Sequence, residues 1–319
     1  MNKKVIKSYK AFDKNMQCRE FQYEVGKEYN MDGEIECCNR GFHAYKSPLE
    51  VLDHYDMLNS RFAEVEQSGK IDEDENSTKV CSSRIKIKAE LKLADIINIG
   101  IEWLKDITSP SKVKTDGVLN DNGDRRKQIG SSDYSAKIGS SGYSAKIGSS
   151  GYYAKIGSSG YYAKIGSSGD YAKIGSSGDY AKIGSSGDSA QIGSSGDSAQ
   201  IGSSGYSAKI GSSGDSAKIG SSGDYAKIGS SGDSAKIGSS GYSAQINSTG
   251  ENSVIMCAGY NSKAKAKIGS WITLAEWEWS YEKNRYVPVC VKTEYVDGEN
   301  IKADTWYKLE NGKFVEAEE

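Results

Sequence analysis

The sequence predicts an α+β domain, then a parallel β-solenoid, then a small β cap, and three observations carry that prediction. Isoleucine recurs at every ninth position from Ile129 through Ile255. Ahead of this repeat, residues 1–108 have ordinary globular complexity, with both helix-period and strand-period patterns. Behind it, residues 256–319 hold a degenerate last coil and then alternate in the β manner around two hairpin turn signals, Asp297-Gly298 and Asn311-Gly312. Residues 109–127 read as a linker between the first domain and the solenoid at 128–255.

In the first domain, Val5 to Phe12 and Phe21 to Tyr29 are expected strands. Ser47-Pro48-Leu49-Glu50 has the form of a capping box: Ser as N-cap, Pro where no donor is needed, Glu at the third helical position. It predicts a helix from Pro48 to about Leu58. Polar and apolar residues alternate from Arg84 to Leu91, a strand with one buried face, and Ile96, Ile97, Ile101 and Leu104 recur at helical spacing within a helix over 93–106. The run from Glu66 to Lys70 and on from Asp72 to Asn76 is rich in charge and poor in apolar residues, so it reads as an exposed loop.

Within the repeats, Ala sits two residues before Ile from Ala136 to Ala244. Residues two apart in a strand share a face, so Ala and Ile point inward while the Lys or Gln between them points out. The Gly-Ser-Ser-Gly-Asp/Tyr remainder turns the corner. Nine residues cannot close a coil around a core, so two repeats per coil are expected, giving about seven coils. Parallel in-register stacking at about 4.8 Å per rung then makes a rod about 35 Å long.

Composition limits the function. The chain has 319 residues, a formal charge of −2, 37 Gly, three Pro and 21 Tyr. That charge gives no global field to attract nucleic acid or membrane. No stretch approaches a membrane span, the first residues carry charge before any apolar run, and the six cysteines show no C-x-x-C spacing. A soluble protein of the cytoplasm with reduced thiols is expected.

Sites of chemistry are sparse. Calcium-binding β-rolls need an oxygen ligand in each repeat, yet Tyr occupies the Asp position at 134, 143, 152, 161, 206 and 242. Cys37, Cys38 and His43 lack a fourth ligand. Neither a metal nor another cofactor is expected, and no catalytic residues are assigned. His43, in Gly41-Phe42-His43-Ala44, is the site candidate of the first domain. On the rod, Tyr143, Lys146, Tyr152, Tyr153, Lys155, Tyr161, Tyr162 and Lys164 form the candidate binding set, because the early repeats combine Tyr with Lys and have no Asp between 133 and 170.

Ala11-Phe12-Asp13, the run from Cys18 to Gly26, Gly41-Phe42-His43-Ala44 and the run from Ser47 to Val51 resemble an uncharacterised domain of phage and prophage proteins. In that family the domain is followed by short Gly/Ser/Ala repeats and a tail similar to the run from Trp271 to Trp277 and to Ala303-Asp304-Thr305-Trp306-Tyr307. The resemblance implies a phage origin and the host bacterial cytoplasm as setting. The stretch from Gly41 to Glu50 is also similar to ADP-ribosyltransferase-like folds, although their glutamate motif is not found here. The sequence expectation is a non-enzymatic interaction scaffold that binds a host protein and inhibits a bacterial defence system. Its alternatives are nucleic-acid binding through the early Tyr/Lys repeats and a transferase activity in the first domain. A homo-oligomer is compatible with the rod, and a membrane partner is not expected.

Overall fold

The computed structural model describes residues 5–37, 39–74, 77–107, 118–120 and 128–318. The chain forms two compact units, Met1–Trp103 and Leu104–Glu319.

The first unit is a sheet of long antiparallel strands. Its elements in chain order are β1 (Ile6–Phe12), β2 (Gln17–Cys18), β3 (Phe21–Gln22), β4 (Glu28–Asn30), β5 (Phe42–Tyr45), α1 (Val51–His54), β6 (Arg61–Glu73), β7 (Lys79–Leu91) and α2 (Leu93–Ile107). The strand order is β4-β7-β5-β1-β6, and β7 also pairs with β6, so the sheet closes on itself. Phe12, Phe42, Val65, Ile85 and Ile87 fill the interior.

Three expectations are corrected. The Glu66–Lys70 stretch and the acidic run up to Glu73 are part of β6, not a loop; Glu75 and Asn76 lie outside the described residues. Gln67 explains this, because it is buried and satisfied: its amide donates to the carbonyls of Phe42 (2.8 Å) and Val80 (3.0 Å), and its oxygen accepts from Ser8 Oγ at 2.6 Å. A buried polar group with a full set of partners costs little, so polarity alone misled the reading. The first helix is one turn, Val51–His54. The Ser47 hydroxyl does accept from the Glu50 N–H (3.4 Å), but the Glu50 carboxylate accepts from Thr78 N–H and Oγ1 (2.8 and 2.7 Å) and does not complete the box. The expected strand over Phe21–Tyr29 is two short pieces, β3 and β4.

The second unit is the solenoid. After β8 (Val118–Asn120), strands β9 (Gln128–Ser131) to β24 (Lys263–Lys265) follow one per repeat, then β25 (Trp271–Ser280), β26 (Arg285–Tyr295), β27 (Tyr307–Glu310) and β28 (Lys313–Glu316). Alternate repeats stack in register, Ile on Ile and Gly on Gly, into two parallel sheets, which confirms two repeats per coil. The coils run from 128 to 274, about eight turns, because Trp271–Leu274 of β25 still pairs in parallel with Val254–Cys257. The linker reading needs one correction, since Val118–Asn120 pairs with Lys137–Gly139 as a rung; 108–117 and 121–127 lie outside the described residues. β25–β26 and β27–β28 are antiparallel hairpins that extend the two sheets.

Ala and Ile point inward as expected, and so does the first serine of each pair, from Ser140 to Ser248. The corner is therefore shorter than the sequence suggested. Ser149 Oγ accepts from the Gly151 N–H at 3.2 Å, and the pattern repeats along the rod.

The corners change conformation part-way. Up to Ser189 the N–H after the Tyr/Asp position donates back to the preceding coil (Tyr153 to the Tyr134 carbonyl, Ser189 to that of Asp170, both 2.8 Å). From Ser198 it donates forward, to the Asp215 carbonyl at 2.8 Å, and Ser198, Ser207, Ser216, Ser234 and Ser243 have φ between 50° and 59°. The Asp ladder fits the turned peptide: Asp197 Oδ1 accepts from the Asp215 N–H (2.9 Å) and Asp215 Oδ1 from Asp233 (2.8 Å). Left-handed backbone favours Gly and Asn over Ser, and the last two such corners already carry Asn252 and Asn261. Replacing Ser198, Ser216 and Ser234 together by Asn is expected to stabilise the rod by about 1 kcal/mol or more in total, read as a higher urea midpoint. An unchanged or lower midpoint would count against the left-handed corner.

Candidate interaction face and N-terminal pocket

One nonapeptide meets two environments. In the sheet built on β10 (Lys137–Ser140) and alternate strands, the strand glycines Gly157, Gly175, Gly193, Gly211 and Gly229 are buried. In the other sheet, Gly148, Gly166, Gly184, Gly202 and Gly220 are exposed, and a Cβ added at any of them would meet nothing within 4 Å. Glycine weakens a strand, so a column of strand glycines with open space above it marks a place where something approaches the backbone closely. Lys146, Lys164, Lys182, Lys218 and Lys236 line this column, with Gln128 and Gln200 in the same row. Their ammonium groups have no ion-pair partner among the described residues.

The result is a groove of about 1000 Å³ from Gln128 to Lys236. At about 4.8 Å per rung this open strip is about 29 Å long. Beyond Lys236 the same outer face turns apolar. Val254, Met256 and Trp271 replace Lys and Gly, each roughly half exposed, and Tyr295 of β26 packs beside Trp271 with ring centroids 5.0 Å apart.

The residues singled out in the sequence are divided by this geometry. Lys146 and Lys164 lie on the groove, whereas Lys155 belongs to the opposite sheet. Tyr143, Tyr161 and Tyr162 occupy one corner, and Tyr152 and Tyr153 the other. Their rings stack on each other along the rod, Tyr134 on Tyr152 at 5.4 Å and Tyr143 on Tyr161 at 5.6 Å. One face of each stacked ring is thereby taken up by its neighbour, although Tyr143, Tyr153 and Tyr162 are still exposed. The open glycine column and the apolar end were missed. Sorting the repeats by parity and then asking what each outer row carries would have found both.

The first unit has its own pocket, of about 920 Å³. His43 lines it from β5. Burial first, then the charges of Lys10, Lys79 and Arg19, push its imidazole down to about 4. As the pH falls below the ordinary value of 6.5, the unfolded chain takes up this proton first. The stability that comes from a neutral His43 is therefore complete above about pH 6.5 and is lost toward pH 4. Urea midpoints at pH 7 and pH 5 are expected to differ more in the native chain than in His43→Gln; equal differences would show that His43 does not titrate this way. Among the described residues no group of three or more His, Cys, Asp or Glu could hold a metal ion, and no helix is long and apolar enough to cross a membrane. Cys38 lies outside the described residues.

Residues 6–99 match a domain of unknown function, DUF7666. The match covers the closed sheet and the first half of α2 and stops before the solenoid. No curated protein and no solved structure matches the chain.

Proposed function

We propose that this protein is a non-enzymatic interaction scaffold whose solenoid holds an extended acidic segment of a partner protein along its glycine groove. The observation that carries this is the row of five unpaired lysines over a glycine floor, continuous with an apolar patch. The lysines supply charge complementarity and a fast encounter, and the Trp271, Met256 and Val254 end supplies an anchor of the kind that dominates binding energy. An apolar anchor favours a protein over a nucleic acid, which would gain little from it. The resemblance to phage proteins supports a partner in the cytoplasm of a bacterial host and, beyond that, one that belongs to a defence system.

The test uses the full chain, a fluorescent Glu-rich peptide ending in Leu-Phe, and a single-stranded oligonucleotide of equal charge. The peptide is expected to bind with a steep loss on adding salt and to lose most of its affinity when the five lysines become Gln. Tighter binding of the oligonucleotide, or no binding of either, would overturn the reading.

A further inference from the structure

We propose that the pocket of the N-terminal unit binds a small ligand that joins an aromatic ring to an anionic group, the chemistry of a nucleoside phosphate. Lys10 reaches the pocket from β1 while only 3% exposed. Its ammonium donates to the His43 carbonyl at 2.9 Å and to Cys18 Sγ at 3.5 Å and lies over the Phe12 and Tyr23 rings, 5.7 and 5.5 Å from their centroids, so neutral groups and no counter-charge surround it. No carboxylate there pairs with it. Three acidic side chains also line the pocket: Asp13 accepts from the N–H groups of Asn15 and Gln17 (2.8 and 2.7 Å), Asp56 accepts from those of Leu58 and Asn59 (2.9 and 3.2 Å), and Glu20 is the sequence neighbour of Arg19. A buried cation without a counter-charge is costly, and a bound anion removes that cost. Burial correspondingly pulls the Lys10 amine below the usual lysine range.

A second observation is independent of Lys10. β2 and β3 are joined by the two-residue turn Arg19-Glu20, and both residues have positive φ, 50° and 64°. Such hairpin turns are normally built from Asn and Gly, so a long side chain at each position is strained. This turn places Arg19 in the lining of the pocket, where its charge acts on Lys10 and on His43. The strained turn thus brings Arg19, with Glu20 beside it, to a pocket that Lys10 and Lys79 also line, and strain retained at such a place is strain kept for a ligand. The lining next to this turn is aromatic: Phe21 meets Tyr23 at 4.8 Å and Phe42 at 6.0 Å, yet Phe21 itself is still 44% exposed. An exposed ring beside two cations fits a planar group that bears an anion.

Calorimetry on the full chain would use the four nucleoside 5′-monophosphates, adenosine and inorganic phosphate as probes. At least one monophosphate is expected to bind saturably with Kd below about 1 mM, with adenosine and phosphate each at least about tenfold weaker. The double variant Arg19→Asn, Glu20→Gly is expected to melt higher and bind at least about tenfold more weakly, and Lys10→Met to bind more weakly again. The proposal is overturned if no monophosphate binds, if phosphate alone binds as tightly, or if the variants bind like the native chain. Should Lys10→Met fail to fold, the turn variant decides, because its residues suit the backbone they replace.

Discussion

Gly196→Ala is expected to break the solenoid in two. A Cβ at this corner overlaps the carbonyl oxygen of Gly178 in the coil below and lies 2.7 Å from the Asp179 nitrogen. Both are backbone atoms held in the rung ladder, so neither can yield as a side-chain end would. Overpacking that cannot relax costs about 3 kcal/mol. For a unit of this size that corresponds to a fall of roughly 6–12 °C in Tm. Each coil contacts only its neighbours, so a defect at mid-rod decouples the coils on either side, and the single melting transition is expected to split. Gly184→Ala is the matched control, because an added Cβ there meets nothing within 4 Å. Calorimetric melts should show the loss and the splitting in the first variant and neither in the second. A single transition near the native Tm in Gly196→Ala would refute the stacking geometry at the corners.

The contrast between Gly196 and Gly184 also shows what the sequence could express. The period of nine, with Ala and Ile two apart, determined which side chains face inward and required two repeats per coil, and the structure agrees in register at each rung. What the period could not express is that identical Gly residues differ: the corner glycines such as Gly196 are forced by a backbone carbonyl one coil away, and the exposed strand glycines such as Gly184 are not. The inward turn of Ser140 and its equivalents follows from the same two-residue alternation carried one step beyond Ile, a step not taken. In the first unit, local charge suggested a loop where Gln67 satisfies itself on three strands, because its partners at Ser8, Phe42 and Val80 are distant in sequence. The pocket was legible only as a motif around His43. Lys10, Arg19 and Phe21 come together through strand pairing and a strained turn, neither of which leaves a short-range pattern.

Filling the groove should separate charge from shape in the proposed binding. Replacing Gly148, Gly166, Gly184 and Gly202 by Val places four side chains in open space on adjacent rungs and leaves the five lysines unchanged. Val suits a pleated strand better than Gly, by about 0.5–1 kcal/mol at each position, so the rod is expected to become more stable. An extended chain could no longer reach the floor, and the Glu-rich peptide is expected to lose affinity by about 100-fold or more, equivalent to about 2.8 kcal/mol. Charge steering survives, so the association rate at low salt should change little and the dissociation rate should carry the loss. Stopped-flow measurement of both rates distinguishes the cases. Unaltered affinity in the Val variant would mean that the lysines act as a diffuse positive strip and that the glycine column is not a binding floor.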